Sequence, residues 1–86
     1  MSFAIDVYYG IPQDDQREER IARHIKRYGG VLSYRDLPRS TDSNAICLTF
    51  EFQNQEDANR AAGAIREQGE HVEGAYDYGE ENDSGA

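Results

Sequence analysis

The stretch Asn44-Ala-Ile-Cys-Leu-Thr-Phe-Glu-Phe52 constrains the fold of this chain more than any other. Ile46, Leu48, Phe50 and Phe52 are large and apolar, and the residues between them, Ala45, Cys47, Thr49 and Glu51, are small or polar. Side chains of a strand alternate between its two faces, so this pattern predicts a strand with one buried and one open face. It is the densest apolar segment of the sequence, which places it centrally in a sheet and makes it the carrier of the core.

The remaining segments read as elements laid against it. Phe3, Ile5, Val7 and Tyr9 alternate with Ala4, Asp6 and Tyr8, a first strand that Gly10 and Pro12 end. Asp14 or Asp15 is suited to cap a helix running from about Asp14 to Tyr28, whose stripe is Ile21, Ala22, Ile25 and Tyr28. Its acids fall early and its bases late, as the helix dipole favours, and Gly29-Gly30 stops it. Val31–Leu37 reads as a second strand, with Leu32 and Tyr34 inward and Ser33 and Arg35 outward. Pro38 ends that strand, and Arg39–Asn44 is polar and turn-forming, a mobile hairpin loop.

After the central strand, Asn54 with Asp57 three residues on caps a second helix, with Ala58, Ala61, Ala62 and Ile65 as its stripe and Gly69 as its stop. In the last strand Val72, Gly74, Tyr76 and Tyr78 alternate with His71, Glu73, Ala75 and Asp77. The order β-α-β-β-α-β resembles the ferredoxin-like sandwich, a four-stranded antiparallel sheet with two helices on one face. Residues 1–79 are expected to form this single domain, and residues 80–86 a disordered acidic tail.

Eighty-six residues leave no room for a second core. The sequence has no apolar tract long enough to span a membrane and no signal-peptide pattern, so a soluble cytoplasmic protein is the expectation. Cys47 is the single cysteine, which excludes an internal disulfide and a thiolate metal cluster. The net charge is -8 and unevenly spread. Residues 20–39 carry six bases (Arg20, Arg23, Lys26, Arg27, Arg35, Arg39) against Asp36, and residues 40–86 carry eleven acids against Arg60 and Arg66. Acidic excess disfavours phosphate as the main partner and favours basic protein surfaces.

With both helices on one face, the outward strand residues form an open platform: Ala4, Asp6, Tyr8, Ser33, Arg35, Ala45, Cys47, Thr49, Glu51, Glu73, Ala75 and Asp77. An RNA-recognition motif would use such a platform to stack bases on aromatics of the central strands. Here Ala45 and Cys47 stand at those third-strand positions, only Tyr8 can stack, and carboxylates surround it, so direct RNA binding by the sheet is not expected. Asp6, His71, Glu73 and Asp77 are the residues a metal would gather, but their spacing is not diagnostic. Cys47, set between core residues, reads as a packing thiol rather than a nucleophile. No cofactor or catalytic set is expected. An ACT-like regulatory domain, homodimeric and sensing a small ligand or metal near Gly10 and the first helix, is the alternative, although Asp14 and Asp15 already occupy that helix end. Arg20, Arg23 and Arg27 read as a solvated face pairing with acids of the second helix and the tail.

The expected function is therefore a non-catalytic acidic binding module that occupies the basic, nucleic-acid-binding surface of a protein partner. In size, charge and lack of catalytic motifs the chain is similar to phage-encoded inhibitors, anti-CRISPR proteins among them. The residues expected to meet the partner are Asp6, Tyr8, Glu51, Glu73 and Asp77 on the platform, with Glu67, Glu70, Glu80 and Glu81 at its edge. Tyr76 and Tyr78 are either contact aromatics or core. Homodimerisation through the small residues of the open face is a further expectation.

Overall fold

The computed structural model describes residues 2–37 and 44–78. The expected Arg39–Asn44 loop lies almost wholly outside the described residues, as does the 80–86 tail with Glu80 and Glu81. Strand β1 (Phe3–Gly10) is followed by α1 (Asp15–Lys26), β2 (Val31–Asp36), β3 (Ala45–Phe52), α2 (Gln55–Glu67) and β4 (His71–Asp77). The sheet is antiparallel with order β2-β3-β1-β4. The two best-alternating strands are central, and the architecture is the α+β, ferredoxin-like arrangement expected from the sequence.

The periodic apolar positions meet in one core. Ile5, Val7 and Tyr9 of β1 and Ile46, Leu48, Phe50 and Phe52 of β3 face Ile21 and Ile25 of α1 and Ala58, Ala61, Ala62 and Ile65 of α2. The helix ends follow the sequence signals. The Asp14 side chain accepts from the Arg17 N–H at 3.0 Å, and the Asn54 side chain from the Asp57 N–H at 2.8 Å. Past α1 and α2, Gly29 and Gly69 take positive φ values of 87° and 96°. Gly30 has a different reason to be glycine: a Cβ there would lie 2.4 Å from Ile25 Cγ2 and 2.5 Å from Phe52 Cζ.

Two irregularities change which residues face which way. In β2 the register shifts between Leu32 and Tyr34, so that Leu32 pairs with Phe50 but Tyr34 pairs with Thr49 and Arg35 with Leu48. One extra residue, Ser33, is absorbed there, and the strand reverses its phase. Tyr34 therefore stands on the open face and Arg35 on the helix face, each opposite to the sequence expectation. In β4 the shift falls opposite Ala4/Ile5: Ile5 pairs with Gly74, Ala4 with Tyr76 and Phe3 with Asp77. Ala75 is the extra residue and packs against the core. Tyr76 and Tyr78 are consequently on the open face, and Ala75 and Asp77 are not.

The inward turn of Arg35 completes a polar cluster over one end of the core. Arg35 Nε and Nη2 donate to the two carboxylate oxygens of Glu18 on α1 at 2.8 and 2.9 Å, and the Tyr9 hydroxyl donates to the same carboxylate. Arg17 lies over the Tyr9 ring, 5.0 Å from its centroid, and binds Glu70 with two hydrogen bonds of 2.7 and 3.1 Å. The Arg35 hydrogen bonds, above all, hold the Glu18 carboxyl below its ordinary value of 4.5. Glu70, expected at the edge of the platform, is instead committed to Arg17, with its side chain 6% exposed.

Candidate functional site

The open face of the sheet is a grid fixed by the strand register. One row is Val31–Glu51–Ala4–Tyr76, the next Tyr34–Thr49–Asp6–Glu73, and the third Asp36–Cys47–Tyr8–His71. Residues paired across strands share a face, so these side chains stand together on the side away from the helices. Tyr78 joins them from beyond β4. Its N–H donates to Ser2 O at 2.9 Å, and its hydroxyl lies 3.0 Å from Ser33 Oγ. That contact carries the side chain across β1 and β3 to the opposite edge strand, and Ala4 beneath is 0% exposed.

The face is thus aromatic and acidic. It holds Tyr8, Tyr34, Tyr76 and Tyr78 together with Asp6, Asp36, Glu51 and Glu73, and among the described residues no lysine or arginine stands on it. Tyr34 is 51% exposed and Tyr76 37%, too open for core residues of this size. Tyr76 and Tyr78 meet edge to face with centroids 6.3 Å apart.

Asp6 is the organising carboxylate. Thr49, a residue 6% exposed, donates to it through Oγ1 at 2.6 Å, and the Tyr76 hydroxyl reaches both its oxygens at 3.1 and 3.2 Å. Glu73 is 3.2 Å from His71 Nε2, and the His71 ring is 5.5 Å from that of Tyr8. Burial first, then the neighbouring Cys47, Asp6 and Glu73, push the Tyr8 hydroxyl up to about 12. Burial and Asp6 push Tyr76 up as well. Both hydroxyls therefore stay protonated at neutral pH and act as donors. Burial, followed by Asp6, also raises the Cys47 thiol above its ordinary value, which keeps it from the thiolate form that nucleophilic chemistry needs.

The sequence-predicted residues divide accordingly. Asp6, Tyr8, Glu51 and Glu73 are brought together on the open face. Asp77 pairs with Phe3 and faces the helix layer, because the Ala75 bulge reverses the phase of the strand end. Glu67 is on α2, lining a shallow surface hollow with Tyr28, Asn59 and Arg60, and Glu70 is in its ion pair with Arg17. Tyr34 and Asp36 were not readable as members of the face, since the Ser33 bulge hides them from strict alternation. The one available signal was that Val31-Leu32 breaks the period at the start of the strand.

Other groupings do not assemble. Asp77 is parted from Asp6, His71 and Glu73, and among the described residues no group of three or more His, Cys, Asp or Glu side chains is placed to hold a metal ion. The start of α1 is capped by Asp14, whose own N–H donates to the Tyr9 hydroxyl at 3.0 Å, so an anion there would compete with a built cap. The bases of α1 do not pair with the acids of α2 among the described residues: Arg23 binds Glu19 on its own helix, and Glu56 binds Arg60. No helix is long and apolar enough to cross a membrane among the described residues.

These features define the class: a ferredoxin-like domain whose sheet face away from the helices is built, among the described residues, of tyrosines and carboxylates. The chain is similar to Msx2-interacting protein of mouse and of human, in each case 28% identical over 64 residues. The match covers 74% of this chain and 2% of the length of those relatives. No protein-family model matches the chain, and no solved structure matches it significantly.

Proposed function

We propose that the open sheet face is a protein-binding surface for a basic partner, and that the domain acts by occupying that partner rather than by catalysis. The observation that carries this is the joint placement of four tyrosines and four carboxylates on one face with no described lysine or arginine among them. Tyrosine supplies large, stiff contact area with a polar tip, and carboxylates attract and orient guanidinium and ammonium groups. In its most concrete form the partner is a nucleic-acid-handling protein, and the domain blocks its basic groove. The relatives are named for an interaction with Msx2, which supports a binding role in kind.

Electrostatic attraction of this sort is salt-dependent, because charges are screened beyond about 8 Å at physiological ionic strength. Binding of the chain to a basic protein surface, followed by calorimetry across a salt series, should weaken as salt rises. Glu51→Gln with Glu73→Gln should weaken it at low salt and flatten the salt dependence. Binding unaffected by both salt and these substitutions refutes the proposal.

One observation favours a second reading. Four open-face tyrosines are also a stacking platform for single-stranded nucleic acid, with Tyr8 on a central strand, as in an RNA-recognition motif, and Tyr34, Tyr76 and Tyr78 outside the central strands. The carboxylates oppose it. Under this reading the same two neutralising substitutions strengthen binding of an oligonucleotide, the opposite of their effect on a basic protein.

A further inference from the structure

Next to the Asp36–Cys47–Tyr8–His71 row, the open face sinks into a hollow of about 380 Å³ lined by Tyr8, Tyr9, Gly10, Ala45, His71 and Glu73. The hollow exists because the following row is the pair Gly10–Ala45, which offers almost no side chain. Its walls are the Tyr8 and His71 rings, tilted 58° to each other, and Glu73 adds a carboxylate at the rim.

We propose that this hollow binds the guanidinium of an arginine side chain contributed by the basic partner. A planar cation stacks on an aromatic ring while its N–H fork meets a carboxylate edge-on, and Tyr8 and Glu73 supply these two elements in one hollow. Lysine, a compact and strongly hydrated charge, uses the ring and the fork less well. An anionic group would meet Glu73. An apolar side chain would strip water from the Glu73–His71 pair without replacing it. In the free protein His71 already partners Glu73 at 3.2 Å, and the arginine adds donors to a carboxylate that is exposed and has capacity for them. The inference rests on the reading that the open face takes a basic partner, and it names the side chain that face selects.

The test is a titration of the isotope-labelled full chain at low salt with a short Gly/Arg repeat peptide and with its lysine and citrulline counterparts. The arginine peptide should bind about 3- to 30-fold more tightly than the lysine peptide. Amide shifts should centre on Tyr8, Ala45, His71 and Glu73, and the citrulline peptide, isosteric but uncharged, should not saturate. Glu73→Gln should bring the arginine peptide down to the lysine level, Tyr8→Leu should do much the same, and Tyr8→Phe should retain the preference. Should Tyr8→Leu unfold the domain, the shift map and the exposed Glu73→Gln variant still decide the matter. Equal binding of arginine and lysine peptides overturns the arginine site and leaves the basic-partner reading standing. Binding of neither overturns both, and citrulline binding as tightly as arginine overturns the role of charge.

Discussion

Replacing Gly30 by alanine tests how the end of α1 is seated on the central strand. The added Cβ would fall 2.4 Å from Ile25 Cγ2, 2.5 Å from Phe52 Cζ and 2.6 Å from Phe52 Cε2, where ordinary contact begins at 3.4 Å. Ile25 and Phe52 are themselves buried and cannot swing into solvent. Overpacking of this kind costs about 1–3 kcal/mol, and three contacts shortened by this much place Gly30→Ala near the upper end. A domain of this size has about 4–13 kcal/mol in total, so the loss is readily measured by urea unfolding. Gly29→Ala is the control. It meets no atom within 4 Å but sits at a φ of 87°, which costs an alanine roughly 1–2 kcal/mol. Asparagine, which tolerates that conformation, should recover part of the loss at position 29 and none at position 30. Phe52→Leu should partly rescue Gly30→Ala, with a coupling of about 1 kcal/mol or more, because it removes two of the three collisions. Equal stabilities of wild type and Gly30→Ala, or strict additivity with Phe52→Leu, would mean that Ile25 and Phe52 do not confine position 30.

Other expectations concern the polar cluster and the open face. The Glu18 carboxyl is held below its ordinary value of 4.5 by Arg35 and further by the Tyr9 hydroxyl. Its stabilising effect is therefore complete above the unfolded value and disappears as pH falls through the lower, folded value. The stability gap between wild type and Glu18→Gln, measured by urea unfolding at a series of pH values, should be widest near neutrality and narrow as the pH falls below the ordinary carboxyl value. Thr49→Val keeps the shape of the side chain but deletes its 2.6 Å hydrogen bond to Asp6, and should cost about 1–2 kcal/mol by the same method. Tyr34→Ala, at a residue 51% exposed, should change stability by about 1 kcal/mol or less while weakening a basic partner at least about fivefold.

The elements were legible because their signals are local. The strict alternation of β1 and β3, the Asp14 and Asn54 caps and the glycines at 29 and 69 each act within a few residues, and each recurs in the structure as the sequence implies. The order of elements then leaves few ways to cover the Ile46–Phe52 stripe. The site was legible only where alternation is unbroken, at Asp6, Tyr8, Glu51 and Glu73. One-residue bulges at Ser33 and Ala75 shift the phase of each edge strand, and a shift of one residue exchanges its faces. Strict alternation therefore put Tyr34 in the core, left Tyr76 and Tyr78 undecided, and put Arg35 and Asp77 on the platform, and an aromatic face looked nearly bare. Glu70 is different in kind. Its pairing with Arg17 spans 53 positions of sequence and depends on two helix ends meeting in space.

The central claim is that the open sheet face, not the helix layer, meets a basic partner. A residue-resolved nuclear magnetic resonance titration of the full chain with an arginine-rich protein segment, repeated at low and high salt, tests it most directly. Perturbations should cluster on Asp6, Tyr8, Tyr34, Asp36, Glu51, Glu73 and Tyr76 and fade as salt rises, with the exposed sides of α1 and α2 unmoved. Perturbations confined to the acids of α2, or no saturable change on the sheet at low salt, would contradict it.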